Sequence, residues 1–230
     1  MILHHFIINS SILLMKRSYT ESELKISNEP KKIVIFGEGS IGKSTLFDRI
    51  VKLHDSDYRF PKTYKATDNF NFNRIKFNTK TIPITIDLWD TAGQESRGGT
   101  MRDAYLKGAD GVLLLYDVSE VKTKDNIPKW LEQIKRVAPK VPVAVIGNKA
   151  DKLDTLQQRE SVKIRDVTLI STIGHRQIKN FLISIKENTH VDYTSSLFSS
   201  STTEKINEGC MVGLEYVLSN IFNQNIVIQE

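Results

Sequence analysis

The sequence predicts an α/β domain built on a mostly parallel sheet, and three observations carry that prediction. Short apolar runs alternate with helical patterns along most of the chain. Three of the runs, residues 32–36, 111–116 and 141–146, are each followed by a turn and a helical stripe. A glycine-rich loop joins the first run to its helix.

The elements follow in chain order. Residues 1–30 read as a flexible leader; the apolar run at 6–15 is broken by Asn9, Ser10 and Ser11 and is too short to span a bilayer. Lys16 and Arg17 follow that run, the wrong polarity for a secretory signal, and both Met1 and Met15 stand as possible starts. The first buried strand, 32–36, leads through the glycine loop into a helix with Leu46, Phe47, Ile50 and Val51 on one face. Residues 70–78 and 81–89 form a hairpin, which adds one antiparallel edge strand. The apolar phase of its first arm shifts between Phe72 and Ile75, so a bulge is expected there.

After the strand at 111–116, Ile127, Trp130, Leu131, Ile134 and Val137 recur at helical spacing, with Pro128 in the first turn. The strand at 141–146 precedes an insertion at about 152–178 and a strand-like stretch at 189–194. A last helix carries Cys210, Leu214, Val217, Leu218 and Ile221, which makes Cys210 a core residue and not a nucleophile. Residues 31–223 thus make one domain and 224–230 a short tail.

Composition limits the function classes. With 40% hydrophobic and 26% charged residues, the chain is an ordinary globular protein and neither collagen-like nor disordered. Its formal charge of +5 is mild and scattered, so nucleic acid is not an expected partner. A single cysteine forbids an internal disulfide and fits a reducing compartment. That cysteine is not near the C-terminus and position 2 is not glycine, so no lipid anchor is expected. The five histidines show no metal-ligand spacing outside the adjacent His4 and His5 of the leader.

The loop after the first strand reads Gly37-Glu38-Gly39-Ser40-Ile41-Gly42-Lys43-Ser44, which fits G-x-x-x-x-G-K-[ST] between a strand and a helix. Glycines let the backbone turn its N–H groups inward, so loop and helix N-terminus form a nest for phosphate oxygens. Lys43 reaches the terminal phosphates as a point charge, and the Ser44 hydroxyl ligates Mg²⁺; Thr45 beside it completes the phosphate set. A chance match is expected on the order of once in a hundred chains of this length.

The hairpin's second arm ends in Trp89-Asp90-Thr91-Ala92-Gly93-Gln94. Asp90 leaves an apolar strand beside the phosphate loop, where a carboxylate holds Mg²⁺. Gly93 brings an N–H to a γ-phosphate, and Gln94, with one donor and one acceptor function, orients an attacking water. The third strand ends in Gly147-Asn148-Lys149-Ala150-Asp151. A carboxylate at Asp151 accepts from both guanine N1–H and the 2-amino group, whereas adenine leaves it unpaired. Asn148 ties the loops together and the Lys149 stem lies along the base. Three such motifs at successive strand ends occupy the crevice where open α/β sheets bind ligands.

These residues resemble the Ras superfamily of small GTPases over about residues 31–222. The resemblance implies a P-loop NTPase fold with a six-stranded sheet flanked by about five helices. It further implies Mg²⁺-dependent GTP binding, slow GTP hydrolysis and two switch segments. By similarity Thr67 is the switch I threonine that meets Mg²⁺ and γ-phosphate, and Phe60, seven residues earlier, packs on guanine. The family's fifth motif, usually Ser-Ala-Lys, is placed at Ser195, Ser196 and Leu197, with Ser171, Thr172 and Ile173 as the weaker candidate.

Within the superfamily the pattern is most similar to Ran, then to Rab, carried by the ungapped stretch 64–99 and by Asp125-Asn126-Ile127-Pro128-Lys129-Trp130. It departs from Ran at Arg97, at an extra residue near Thr100, in the missing acidic C-terminal tail, and in Ile183-Ser184-Ile185-Lys186, which stands for the lysine-rich stretch of the helix before the fifth motif. The expected partners are GTP and GDP, an exchange factor, a GTPase-activating protein and effectors. The protein is expected to act as a soluble monomer in cytoplasm or nucleus, in nucleocytoplasmic transport or trafficking. Ser40 at a position usually held by glycine, with the eroded fifth motif, keeps a non-hydrolysing binding module open as the alternative.

Overall fold

In the computed structural model, the residues described are 29–54, 70–79, 82–93, 99–153, 155, 177–186, 189–191 and 209–228. In chain order they form β1 (Lys31–Phe36), α1 (Lys43–His54), β2 (Phe70–Phe77), β3 (Ile84–Thr91) and α2 (Gly99–Leu106). β4 (Gly111–Asp117), α3 (Val121–Asp125), α4 (Ile127–Val137) and β5 (Val143–Asn148) come next. A 3₁₀ turn (Ala150–Lys152), β6 (Ile178–Ser184), β7 (Thr189–Val191) and α5 (Val212–Phe222) complete the set.

The strands lie in one sheet in the order β2-β3-β1-β4-β5-β6-β7. β3, β1, β4, β5 and β6 run parallel, and β2 is the expected antiparallel edge. The six expected strands gain a seventh, β6, where the sequence suggests the end of the insertion and a following helix; it pairs in parallel with β5, and β7, in the stretch that reads as strand-like, turns back on it and makes the opposite edge antiparallel as well.

Alternation along the central strands sorts the core into two layers. Ile33 and Ile35 of β1, Leu113 and Leu115 of β4, and Ile146 of β5 face α1 and α5. There they meet Leu46, Phe47 and Ile50 on one helix and Leu214, Val217 and Leu218 on the other, with Cys210 fully buried among them. The intervening residues Val34, Phe36, Val112, Leu114, Tyr116 and Val145 face α4 through Ile127, Trp130, Leu131 and Ile134. Trp130 meets the Phe36 ring edge-on at 5.3 Å. At about 1.5–3 kcal/mol for each buried large side chain, these layers supply the main stabilising term.

The bulge expected in β2 is absent: pairing runs unbroken from Phe70↔Thr91 to Phe77↔Ile84. The phase shift has another cause, since each half of this edge strand is covered on a different face. Ile75 and Phe77 point into the α1/α5 layer, whereas Phe70 and Phe72 point the other way, 44% and 46% exposed, against Trp89. Residues 224–228 fold back on the domain. Ile226 is buried, its N–H donates to Ser219 Oγ at 2.9 Å, and Ile228 bridges Thr79 at the hairpin tip.

Candidate functional site

The C-terminal ends of β1, β3, β5 and β6 converge on a pocket of about 450 Å³, lined among others by Gly39, Ser40, Gly42, Lys43, Ser44, Thr45 and Thr91. Gly93, Asn148, Lys149 and Asp151 line the same cavity. The loop's shape depends on left-handed backbone at Ser40 (φ 60°) and Gly42 (φ 101°). At Gly42 a Cβ would also run into the Asn148 amide, so any side chain there separates the loop from the base-side strand. Gly37, Glu38 and Ile41 hold the loop from behind: the Glu38 carbonyl accepts from Lys43 Nζ, and its carboxylate accepts from Asn126 Nδ2 at the start of α4.

Lys43 opens α1 and is nearly buried. Burial pushes its ammonium down from the ordinary lysine value to about 8, while the charges of Asp90 and Glu38 act against that shift. Asp90 is fully buried at the end of β3, where its Oδ2 accepts from Asn71 Nδ2 at 3.1 Å. Gly93 sits so close to the loop that a Cβ would meet the Glu38 carbonyl and Lys43 Nζ.

On the other side of the pocket, Asn148 is a buried cross-brace. Its Nδ2 donates to the Ile41 carbonyl at 2.9 Å and its Oδ1 accepts from Ile185 N–H at 3.2 Å. Lys149 adopts left-handed backbone (φ 67°), and its Nζ reaches both the Ser40 carbonyl at 3.2 Å and Asp117 Oδ2 at 2.5 Å. Burial alone would raise the Asp117 carboxyl, but hydrogen bonds from Lys149 and Ser119 prevail and hold it below the usual carboxylate range. Asp151 accepts from Ser184 Oγ at 2.6 Å.

Two features of this wall were not legible as site residues. Ile185 and Lys186 line the pocket, following Ser184 at the end of β6. The stretch 189–194, expected to lead into the fifth motif, instead begins as β7, which runs antiparallel to β6 and so away from the pocket end of the sheet. The signal that could have found the turn is a Ser-x-Lys triplet closing an apolar run. Phe60, Thr67, Gln94, Ser195, Ser196 and Leu197, and the alternative Ser171, Thr172 and Ile173, lie outside the described residues.

A model of the Ras family matches residues 32–204. The chain belongs to the Ras family. As a Ras-family small GTPase it is a GTP-binding switch protein, and proteins of this family use GTP and GDP with Mg²⁺. The described residues fit that ion. Buried Asp90 and pocket-lining Ser44 are hard oxygen donors, and no three His, Cys, Asp or Glu side chains among the described residues gather into a metal cage. Such a pair suits an ion that completes its shell from phosphate and water. Among the described residues no helix is long and apolar enough to cross a membrane.

The depressed Lys43 value makes phosphate binding pH-dependent. Below about pH 8 the free protein already carries the ammonium, and above it the free protein has lost a proton that phosphate restores. Binding of GDP at about pH 8.5 should therefore take up a fraction of a proton, and affinity should weaken as pH rises through about 8. Calorimetry in buffers of different ionisation enthalpy measures the uptake, which should vanish in Lys43→Met.

Proposed function

We propose that this GTPase hydrolyses GTP to GDP and releases its partners when it does so. The observation that carries the proposal is the meeting, in one pocket, of the phosphate loop and the 148–151 turn, braced to each other through Asn148 and Lys149. Residues 37–45 and Gly93 hold the phosphates; Ser44 and Asp90, with Thr67, hold Mg²⁺, which neutralises phosphate charge when bound. Gln94 orients the attacking water. Asn148, Lys149 and Asp151 select guanine, with Phe60 against the base.

The fifth guanine-binding element, in this reading, is Ser184-Ile185-Lys186 and not Ser195, Ser196 and Leu197. Ser184 fixes Asp151, and the next two residues line the pocket. Regulators and effectors read the switch segments together with the aromatic surface beside them. In that surface Phe70 stacks on Trp89 at 4.7 Å, Phe72 meets the same ring at 5.4 Å, and Lys32 Nζ lies 4.6 Å over it. An exposed aromatic cluster flanked by a cation suits protein recognition. A Ran-like or Rab-like role in nucleocytoplasmic transport or trafficking is the cellular reading that the sequence pattern supports.

Single-turnover hydrolysis of γ-labelled GTP by the full chain with Mg²⁺ tests the activity. A slow intrinsic rate, roughly 10⁻⁴ to 10⁻² s⁻¹, is expected. Tight GTP binding without phosphate release, alone or with an activating protein, would make the protein a nucleotide-dependent binding module instead.

A further inference from the structure

Asp117 ends β4 in register with Asn148 of β5, one residue short of Lys149, and the pocket's described lining does not include it. Its side chain is buried, 4% exposed, and both carboxylate oxygens are engaged. Oδ1 accepts from the Ser119 N–H at 2.9 Å and from Ser119 Oγ at 2.7 Å, while Oδ2 meets Lys149 Nζ at 2.5 Å. Thr123 of α3 fastens the backbone of the same residue: its Oγ1 accepts from the Asp117 N–H at 3.0 Å and donates to the Asp117 carbonyl at 2.9 Å. A carboxylate tied down at the side chain and at the main chain is a rigid anchor, and its cationic partner belongs to the pocket wall.

What the anchor holds is a strained junction. Lys149 and Ser40 both adopt left-handed backbone, at φ 67° and 60°, and Lys149 Nζ donates to the Ser40 carbonyl at 3.2 Å. Residues in that region of backbone space keep their conformation only where the surroundings over-determine it. A lysine ammonium on its flexible stem is a poor brace when its end is free, but here it is fixed between the Asp117 carboxylate and the phosphate-loop carbonyl. The carboxylate end of the pair is withdrawn from water, so salt screens it little. Ser119 extends the same anchor, since its Oγ accepts from Lys152 Nζ at 3.1 Å and Lys152 also lines the pocket. One buried carboxylate thus restrains two lysines of the wall.

Resting on the nucleotide-binding reading of this pocket, we infer that Asp117 is a positioning residue that sets how long nucleotide stays bound: by fixing the Lys149 ammonium it keeps the 148–151 turn closed against the phosphate loop. Asp117 acts through Lys149 and does not itself meet the ligand. Without the anchor the turn and the loop separate more readily, which speeds exit, whereas entry does not need a closed wall. Asparagine is the informative replacement. It has the same shape, its Oδ1 keeps the bonds from Ser119, and its Nδ2 sets a donor against the ammonium where a charged acceptor stood.

Displacement of a fluorescent GDP analogue from the full chain by excess GDP, with association followed separately, tests the assignment. Asp117→Asn should speed release about tenfold or more and leave association within about twofold of wild type. Asp117→Ser, which removes the carboxylate without opposing the ammonium, should move release in the same direction and takes the place of the asparagine variant if that one folds poorly. The decisive comparison is made in Lys149→Met, which keeps the stem and loses the ammonium: adding Asp117→Asn there should speed release by less than about twofold more. Independent, additive acceleration in the double variant would reduce Asp117 to a residue that secures the end of β4 and overturn the inference, as would wild-type release in both Asp117 variants. Failure of the wild-type chain to bind the analogue would instead overturn the nucleotide-binding reading itself.

Discussion

Asp151→Asn should lower affinity for GTP by about 10² to 10⁴ and admit xanthosine triphosphate. The carboxylate accepts two hydrogen bonds from guanine, at N1–H and at the 2-amino group, and bonds to a charged acceptor contribute about 1.5–3 kcal/mol each. Asparagine keeps one acceptor, for N1–H, and turns a donor toward the 2-position. That donor repels an amine and pairs with the carbonyl that xanthine carries there. Ser184 favours the exchange, because its hydroxyl, 2.6 Å from Asp151 Oδ1, can donate to the amide oxygen in the same way. Competition of unlabelled GTP and xanthosine triphosphate against a fluorescent nucleotide measures the switch. Unchanged guanine preference in Asp151→Asn would remove Asp151 from base recognition. The variant should keep its fold, since Asp151 is exposed and sits in a short 3₁₀ turn outside both core layers.

The parts of the fold that were legible are those whose burial is decided locally. β1, β4 and β5 lie between two helical layers, so each is apolar on both faces and reads as a continuous run. α4 was equally plain, because Trp130, Leu131 and Ile134 fill one face and Pro128 sits in its first turn. β2 misled because an edge strand is covered on different faces along its length, and a change of partner imitates a change of phase. β7 falls in the stretch that reads as strand-like, whereas β6 was missed because it follows directly on the long insertion with no turn signal to separate the two.

At the site, the phosphate loop and the 148–151 turn, which line one pocket, stood out in the sequence because the roles expected of them need particular residue types at fixed spacing. The turn after β6 was not. It offers backbone groups, and its middle residue, Ile185, belongs to the α1/α5 core layer, where many residue types fit. Its neighbour in the sequence, the stretch at 189–194, looked strand-like and drew the expected fifth motif to Ser195, Ser196 and Leu197, outside the described residues. Asp117 was invisible for a related reason: its partner at the pocket wall, Lys149, lies across a long stretch of chain.

Gln94→Leu should leave GTP and GDP binding within a few-fold of wild type and abolish stimulated hydrolysis, a loss on the order of 10³ to 10⁵. The argument begins from the pocket's own charges. Its described lining holds Lys43, Lys149, Lys152 and Lys186 but no arginine, so the cation that stabilises charge spreading over the γ-phosphoryl group is expected from an activating protein. With that charge supplied in trans, what remains for this chain is to place the water. Gln94 follows Gly93 directly, and Gly93 already lies against the Glu38 carbonyl and Lys43 Nζ, at the phosphate end of the pocket. Leucine has nearly the same reach but neither donor nor acceptor, so the water loses its orientation while the nucleotide loses no contact. Wild type and variant are compared in single-turnover hydrolysis with and without the same activating protein, beside their GDP release rates. Unchanged stimulated turnover in Gln94→Leu would sink the water-orienting role. Fast nucleotide release in the variant would show instead that the residue shapes the pocket, and the catalytic reading would then pass to another group.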